Sequence, residues 1–157
     1  MKAALCQFQI EYEAKARNLR RAEQMIETAA AEHANIIFFP EMSFTGFSMN
    51  TMLTGESGGE TIQVIQEYAR NYHIAVGFGW VKQNGDKGEN HYTVVNDAGT
   101  VLADYVKIHP FSFSGEDKYY IAGSQTAVFP QLALGQAAAS PQGPDQSTVQ
   151  QALSPPE

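Results

Sequence analysis

The chain has 157 residues, a formal net charge of −7 and a pI of about 5.0, and 43% of its residues are hydrophobic. This length and composition suit a single domain with a sizeable core. The acidic balance argues against nucleic acid, or an anionic membrane surface, as a partner recognised through basic charge.

Cysteine content and apolar runs restrict the class of protein further. Cys6 is the single cysteine, so an intramolecular disulfide is excluded. No apolar run approaches the roughly 20 residues of a membrane helix. The first residues also lack the apolar segment of a signal peptide. We therefore expect a soluble cytoplasmic protein with no membrane partner.

The first forty residues predict a β–α–β unit. Residues 2–10 form a strand that places Cys6 on its more apolar face, as a small buried hydrophobe. Residues 13–34 contain neither Gly nor Pro and have an apolar stripe at helical spacing. Residues 36–39 are four apolar residues in a row, typical of a strand buried on both faces, and Pro40 ends it. A parallel pair with a right-handed crossover is expected.

A loop and a second helix are predicted next. Residues 50–59 are rich in Gly and polar residues, but no Gly-Lys-Ser/Thr follows them, which argues against a phosphate-binding loop. Glu60–Tyr72 places Ile62, Ile65, Tyr68 and Ala69 on one side and predicts a helix.

Three strands then complete a mixed sheet that is parallel early and antiparallel late. They are predicted at residues 74–81, 91–95 and 101–106, and the last two are joined by an Asn-Asp-Ala-Gly turn. Gly77 and Gly79 of the first of these strands leave room for a close backbone or side chain on one face.

Composition changes abruptly after Phe129. Residues 130–157 hold five of the seven prolines and contain no aromatic residue, lysine or arginine. Such a segment buries too little apolar surface to offset the entropy cost of ordering it. We predict a folded domain over residues 1–129 and a disordered tail over residues 130–157.

Three charged side chains are candidates for chemistry. Glu41 follows the second predicted strand, Lys107 follows the fifth, and Glu116 lies in the next loop, which can fold back. Two carboxylates and an ammonium suit acyl transfer, in which one acid takes a proton and the lysine stabilises an oxyanion. The alternative is a surface ion-pair network without a catalytic role.

Two stretches resemble the motifs of the nitrilase, or carbon–nitrogen hydrolase, superfamily. Residues 39–47 (FPEMSFTGF) resemble its glutamate motif, and residues 105–123 (YVKIHPFSFSGEDKYYIAG) resemble its lysine motif with a second glutamate downstream. The resemblance covers about residues 2–129 and is closest to the branches that act on small amides. It implies that Glu41 is the base, that Lys107 stabilises the tetrahedral intermediate and that Glu116 positions the substrate.

The nucleophile of that family is a cysteine that follows the lysine motif by a few tens of residues. No cysteine follows Lys107 in this chain, and Cys6 lies in the first predicted strand. The resemblance therefore implies an α/β protein with a truncated, incomplete nitrilase-type α-β-β-α sandwich, a mixed sheet and no turnover of its own.

The resemblance implies a small amide or nitrile as substrate and no cofactor, and it leaves a homo-oligomer open. The four histidines are scattered singly and predict no metal site: His33, His73, His91 and His109. The alternative function is a non-catalytic α/β module that binds a small ligand or a partner chain.

Overall fold

The computed structural model describes residues 1–128, which form one six-stranded mixed sheet with helices. No helix in this range is long and apolar enough to cross a membrane. The predicted disordered tail, residues 130–157, lies outside the described residues. In chain order the elements are β1 (Ala3–Leu5), α1 (Lys15–Ala31), β2 (Ile36–Phe38), α2 (Thr51–Thr54), α3 (Glu60–Tyr72), β3 (Ala75–Asn84), β4 (Lys87–Val95), β5 (Val101–Val106), a 3-10 turn (Ser112–Ser114), α4 (Glu116–Tyr119) and β6 (Tyr120–Ile121).

The sheet has the strand order β1-β2-β3-β4-β5, and β6 also pairs with β4. Strands β1, β2 and β3 are parallel, with Leu5 opposite Phe38 and Phe38 opposite Gly77. Strands β3, β4 and β5 are antiparallel, with Val81 opposite Asn90 and His91 opposite Val106. The predicted β–α–β unit and the predicted mixed sheet are both confirmed.

Helices α1 and α3 cover one face of the sheet. The predicted apolar stripes of both helices are confirmed, because Ile26 and Ile65 are fully buried against the Ile37, Val76 and Phe78 side chains of the sheet. Each fully buried side chain of this size contributes about 1.5–3 kcal/mol. The opposite face carries a smaller apolar cluster formed by Ile36, Phe38, Ala75, Tyr92, Val94 and Leu102. The described residues thus form one helical layer on one sheet.

Several predicted boundaries are wrong for local reasons. Strand β1 ends at Leu5 rather than residue 10, because its only partner in the sheet is the three-residue strand β2. Helix α1 is shorter at both ends because Glu13 and His33 have φ of 55° and 58°, outside the right-handed helical region. The loop predicted at residues 50–59 contains the short helix α2.

Candidate active site

Glu41 lies in a tight turn that follows β2 and packs directly on β3. A Cβ atom at Gly79 would lie 2.5 Å from the Met42 nitrogen and 3.0 Å from the Glu41 Cα, so only glycine allows this approach. The Ser43 N–H donates to the Gly79 carbonyl oxygen, and the Gly79 N–H donates to the Ser43 Oγ, both at 3.2 Å. The predicted close backbone approach at Gly79 is confirmed.

Lys107 is held beside β4 by the backbone. Its N–H donates to the Asn90 carbonyl oxygen at 2.8 Å, and its own carbonyl oxygen accepts from the Gly123 N–H at 2.9 Å. The first bond extends the β4–β5 pairing by one position beyond Val106, and the second ties Lys107 to the segment that follows β6. The start of the Lys107 side chain is therefore fixed relative to the sheet.

Glu116 is the first residue of α4 and its side chain is fully buried. Gly115 precedes it with a φ of 79°, a left-handed conformation that glycine adopts without strain. The Glu116 carboxylate accepts the Phe111 N–H, which closes the loop back on itself. The predicted folding back of this loop is confirmed, although its 3-10 turn and α4 were not predicted.

The three predicted side chains meet at one point. Lys107 Nζ lies 2.7 Å from Glu41 Oε1 and 2.9 Å from Glu116 Oε2. A cluster of Glu41, Lys107 and Glu116 was expected from their positions after the strands, and the structure confirms it. Their catalytic roles stay a prediction, because contacts alone do not distinguish a reactive group from an ion pair.

Asn90 is a fourth member of the cluster that the sequence analysis missed. Its Nδ2 donates to Glu41 Oε1 at 2.6 Å and to Glu116 Oε1 at 3.1 Å, and the side chain is buried in β4. The predicted strand begins at His91, one residue after Asn90, whereas β4 begins at Lys87. The sequence did contain a usable signal. Asn90 lies two residues before Tyr92 and therefore on the same face of the strand, where the other residues are apolar.

Lys107 and Glu116 stay charged at neutral pH. Burial by itself raises the pKa of the Glu116 carboxyl, but the Phe111 N–H, the Lys107 ammonium and the Asn90 amide together hold that pKa below its usual range. Burial by itself lowers the pKa of the Lys107 ammonium, but the bonds to Glu41 and Glu116 raise it above its usual range. We infer an ammonium shared by two carboxylates.

The two carboxylates differ in the use of their oxygens. Glu116 is fully buried and both its oxygens accept hydrogen bonds. The Glu41 side chain is 49% exposed, and its Oε1 accepts from both Asn90 and Lys107. Within residues 1–128 no donor bonds to Glu41 Oε2. Glu41 therefore retains an oxygen that can accept a proton, whereas Glu116 does not.

A cavity of about 420 Å³ opens beside the cluster. Glu41, Asn90 and Lys107 form its polar end, and the Lys107 Nζ lies 5.7 Å from the centre of the Phe47 ring. The remaining walls are mainly apolar and are formed by Phe38, Tyr92, Val94, Ala103, Tyr105 and Ala127. A site of this kind suits a small ligand with one polar group.

Cys6 is not part of this site. Its Sγ lies 3.1 Å from the Met25 Sδ of α1, on the helix-covered face of the sheet. Burial raises the pKa of the Cys6 thiol to about 11, so the thiol is protonated at neutral pH. Its predicted placement on the apolar face is confirmed, although the side chain is partly rather than fully buried.

The histidines do not join the cluster. His91 is buried on the other face of β4 and bonds to Asp104 at 2.8 Å and to Glu89 at 3.2 Å. Among the described residues, no group of three or more His, Cys, Asp and Glu side chains has a geometry that could hold a metal ion.

A model of the carbon–nitrogen hydrolase family matches residues 2–141. The chain belongs to the carbon–nitrogen hydrolase family. The chain is 29% identical over 127 residues to the 2-oxoglutaramate amidase of Bacillus subtilis. The aligned region covers 78% of this chain and 48% of that protein. It is also 29% identical over 111 residues to the omega-amidase YafV of Yersinia enterocolitica. That alignment covers 71% of this chain and 42% of that protein.

The carbon–nitrogen hydrolase chain also has the fold of a solved relative. The crystal structure of an amidase from Nesterenkonia sp. superposes with a TM-score of 0.72 at 20% identity, over 80% of this chain and 49% of that chain. The predicted fold class, an incomplete nitrilase-type α/β sandwich with a mixed sheet, is confirmed. The chain spans about half the length of the relatives it matches, and the predicted boundary after residue 129 stays a prediction.

Proposed function

We propose that this carbon–nitrogen hydrolase chain supplies the acid–base part of a site that hydrolyses a small amide or nitrile. The observation that carries the proposal is the position of Lys107 Nζ between Glu41 Oε1 and Glu116 Oε2, at the polar end of a cavity. Glu41, which lines that cavity, has one oxygen that accepts no hydrogen bond from the described residues. A surface ion pair does not need a fully buried carboxylate or a cavity of this size. Amide-hydrolysing relatives are consistent with the substrate class.

Each charged group has a distinct task in this proposal. Glu41 Oε2 takes the proton of the attacking nucleophile, because it is the oxygen without a donor. The Lys107 ammonium stabilises the negative oxygen of the tetrahedral intermediate. Glu116 has no free oxygen and holds Lys107 in place. The aromatic and aliphatic walls of the cavity would receive the acyl part of the substrate.

The reaction needs a nucleophile, which the family resemblance gives as a cysteine. The thiol sulfur attacks the amide carbon, the C–N bond breaks, and ammonia leaves with a proton returned from Glu41. Water then hydrolyses the thioester to a carboxylic acid and restores the thiol. Solved structures of the Nesterenkonia amidase carry covalent adducts at an active-site cysteine, which agrees with this chemistry for the family.

Cys6 does not fit the role of this nucleophile. Its thiol has a raised pKa and lies on the opposite face of the sheet from the cavity. We therefore propose that these 157 residues alone do not turn over an amide. A cytoplasmic location, a homo-oligomer and the lack of a nucleic-acid partner stay predictions.

A chimaera tests this function directly. Residues 1–128 replace the matching segment of the Bacillus subtilis 2-oxoglutaramate amidase, and ammonia release is measured with 2-oxoglutaramate and short neutral amides. We expect hydrolysis that falls by about 10²–10⁴-fold in Glu41→Gln. We expect a fall of about 10²–10³-fold in Lys107→Met. Glu60→Gln, an exposed glutamate at the start of α3, is the matched control and should leave the rate unchanged.

Two results would contradict the proposal. A chimaera that folds, as judged by circular dichroism, but releases no ammonia would show that this segment does not carry the acid–base groups. Ammonia release by the 157-residue chain alone that disappears in Cys6→Ala would show that Cys6 is the nucleophile. Binding of neutral amides by the chain, with an inactive chimaera, would instead favour the non-catalytic module.

A further inference from the structure

Asn90 contacts every charged residue of the cluster. Its carbonyl oxygen accepts the Lys107 N–H at 2.8 Å, and its Nδ2 donates to Glu41 Oε1 at 2.6 Å and to Glu116 Oε1 at 3.1 Å. These contacts reach a loop that follows β2, the residue that follows β5, and the first residue of α4. One residue in the middle of the sheet therefore joins three separate segments of the chain.

The chemistry of the asparagine side chain suits this position. An amide nitrogen has two N–H donors in one plane and no charge, so it can bond to two carboxylates and leave their charge unchanged. A serine has a single donor, and a second lysine would remove the net negative charge that remains after Lys107 is counted. Because Asn90 is 4% exposed and lies in β4, the position of its amide is fixed relative to the sheet.

Lys107 alone provides a weaker constraint on Glu41. Its ammonium is at the end of a flexible four-carbon stem, and its side chain is 25% exposed. The Glu41 side chain is 49% exposed and begins in a turn rather than in a strand. Without Asn90, the orientation of the Glu41 carboxylate would depend on Lys107 alone.

We propose that Asn90 is a positioning residue that holds Glu41 through Oε1, so that Oε2 is the oxygen available for proton transfer. This inference rests on the proposed role of Glu41 as the base. Asn90 acts through the two carboxylates and through Lys107, and it takes no proton itself. The same amide bonds to Glu116 Oε1 while Lys107 bonds to Glu116 Oε2, so both oxygens of the buried carboxylate are held.

The first experiment follows the side-chain carboxyl signals by NMR as a function of pH in the 157-residue chain. In Asn90→Leu and Asn90→Ala, the Glu116 pKa should rise, because a donor to its charged form is lost. The control is Thr93→Val, which removes buried hydrogen bonds on the opposite face of β4. That variant should lower the free energy of unfolding and leave the Glu116 pKa unchanged.

Asn90→Ala, which has no donor and a smaller side chain, keeps the test decisive if the larger leucine prevents folding. An unchanged Glu116 pKa in a folded Asn90 variant would overturn the proposal, because the amide would then not hold the carboxylates. A Glu116 pKa that moves equally in Thr93→Val would also overturn it, since the effect would then be general loosening of β4.

The second experiment uses the chimaera described above. Because the Asn90 amide donates to Glu41 and Glu116, Asn90→Ala should reduce kcat by about 100-fold, the scale of a 1 Å misplacement. The KM should change little. A raised KM with an unchanged kcat would contradict a positioning role. If the unmodified chimaera is inactive, the proposed function fails, and the NMR titration still decides whether Asn90 organises the cluster.

Discussion

Lys107 and Glu116 form an ion pair in which the carboxylate is fully buried and the ammonium is partly exposed. The Nζ–Oε2 distance is 2.9 Å, and the side chains are 25% and 0% exposed. Taking a carboxylate out of water is costly, and the cost is offset only when the charge is paired and hydrogen-bonded. The pair therefore links the stability of the domain to the integrity of the proposed site.

Removing the ammonium should destabilise the domain. Lys107→Met leaves the Glu116 carboxylate buried without its cation, and we expect a loss of about 3 kcal/mol in the free energy of unfolding. Lys107→Met combined with Glu116→Gln should recover part of this loss, because no buried charge remains. Urea unfolding at pH 7 measures both. Lys118→Met, at an exposed lysine of α4, is the control, and equal losses in Lys107→Met and Lys118→Met would refute the argument.

Acid should weaken the domain through Glu116. Its folded-state pKa is lowered, so its contribution to stability is fully present above the unfolded pKa of about 4.3 and is lost as pH falls through the folded value. The free energy of unfolding should therefore decrease as the pH is lowered below about 4. Urea titrations of the unmodified chain and Glu116→Gln at a series of pH values test this. The prediction fails if both proteins show the same slope.

His91 should have the opposite pH dependence. Burial lowers the pKa of its imidazole, but hydrogen bonds to Asp104 and Glu89 raise it above its usual value. A raised folded-state pKa gives stability that is complete below the unfolded pKa of about 6.5 and is lost as pH rises through the folded value. The free energy of unfolding should fall between about pH 6 and pH 9.

The His91 effect has a matched control in the same chain. His91→Gln should remove this fall, because the glutamine has no charge to lose. His109→Gln, at an exposed histidine, should retain it. Thermal or urea unfolding at pH 6 and pH 9 measures the difference, and a fall that persists in His91→Gln would assign it to another group.

Gly79→Ala should displace the turn that carries Glu41. The added Cβ would meet backbone atoms of Glu41 and Met42 at 2.5–3.0 Å, which cannot be relieved by rotating a side chain. Overpacking of this kind costs about 1–3 kcal/mol. The control is Gly58→Ala, whose Cβ meets only the flexible Glu60 side chain. Similar unfolding free energies for the two variants would mean that the turn is not held against β3.

Sequence patterns predicted helix α3, the mixed sheet and the meeting of Glu41 with Lys107, and each has a physical reason. Helix α3 was predicted at Glu60–Tyr72 with both ends correct, because its apolar spacing is regular and glycine precedes it. Glu41 follows an unbroken apolar run, and Lys107 follows a strand that is apolar or aromatic except at Asp104. Their convergence is then a consequence of pairing β2 with β3 and β4 with β5.

The remaining features depend on contacts that no local pattern encodes. Asn90 directly precedes the predicted strand, and the pairing of β3 with β4 is what extends the strand back to include it. Strand β6 has two residues, and it forms because Tyr120 and Ile121 pair with Gly88 and Glu89 after the loop folds back. Such short elements follow from tertiary structure and have no periodicity to detect.

The long sequence separation within the cluster has a consequence for synthesis on the ribosome. Glu41 and Lys107 are 66 residues apart, and Glu116 comes another nine residues later. At about 5–20 residues per second, the ribosome adds Glu116 roughly 4–15 s after Glu41. In the first part of that interval, before β3 is made, β2 has only β1 and α1 as neighbours, and its edge towards β3 is unpaired. We therefore expect the nascent chain to expose an unpaired apolar strand until β3 is made, which is the kind of surface that chaperones cover.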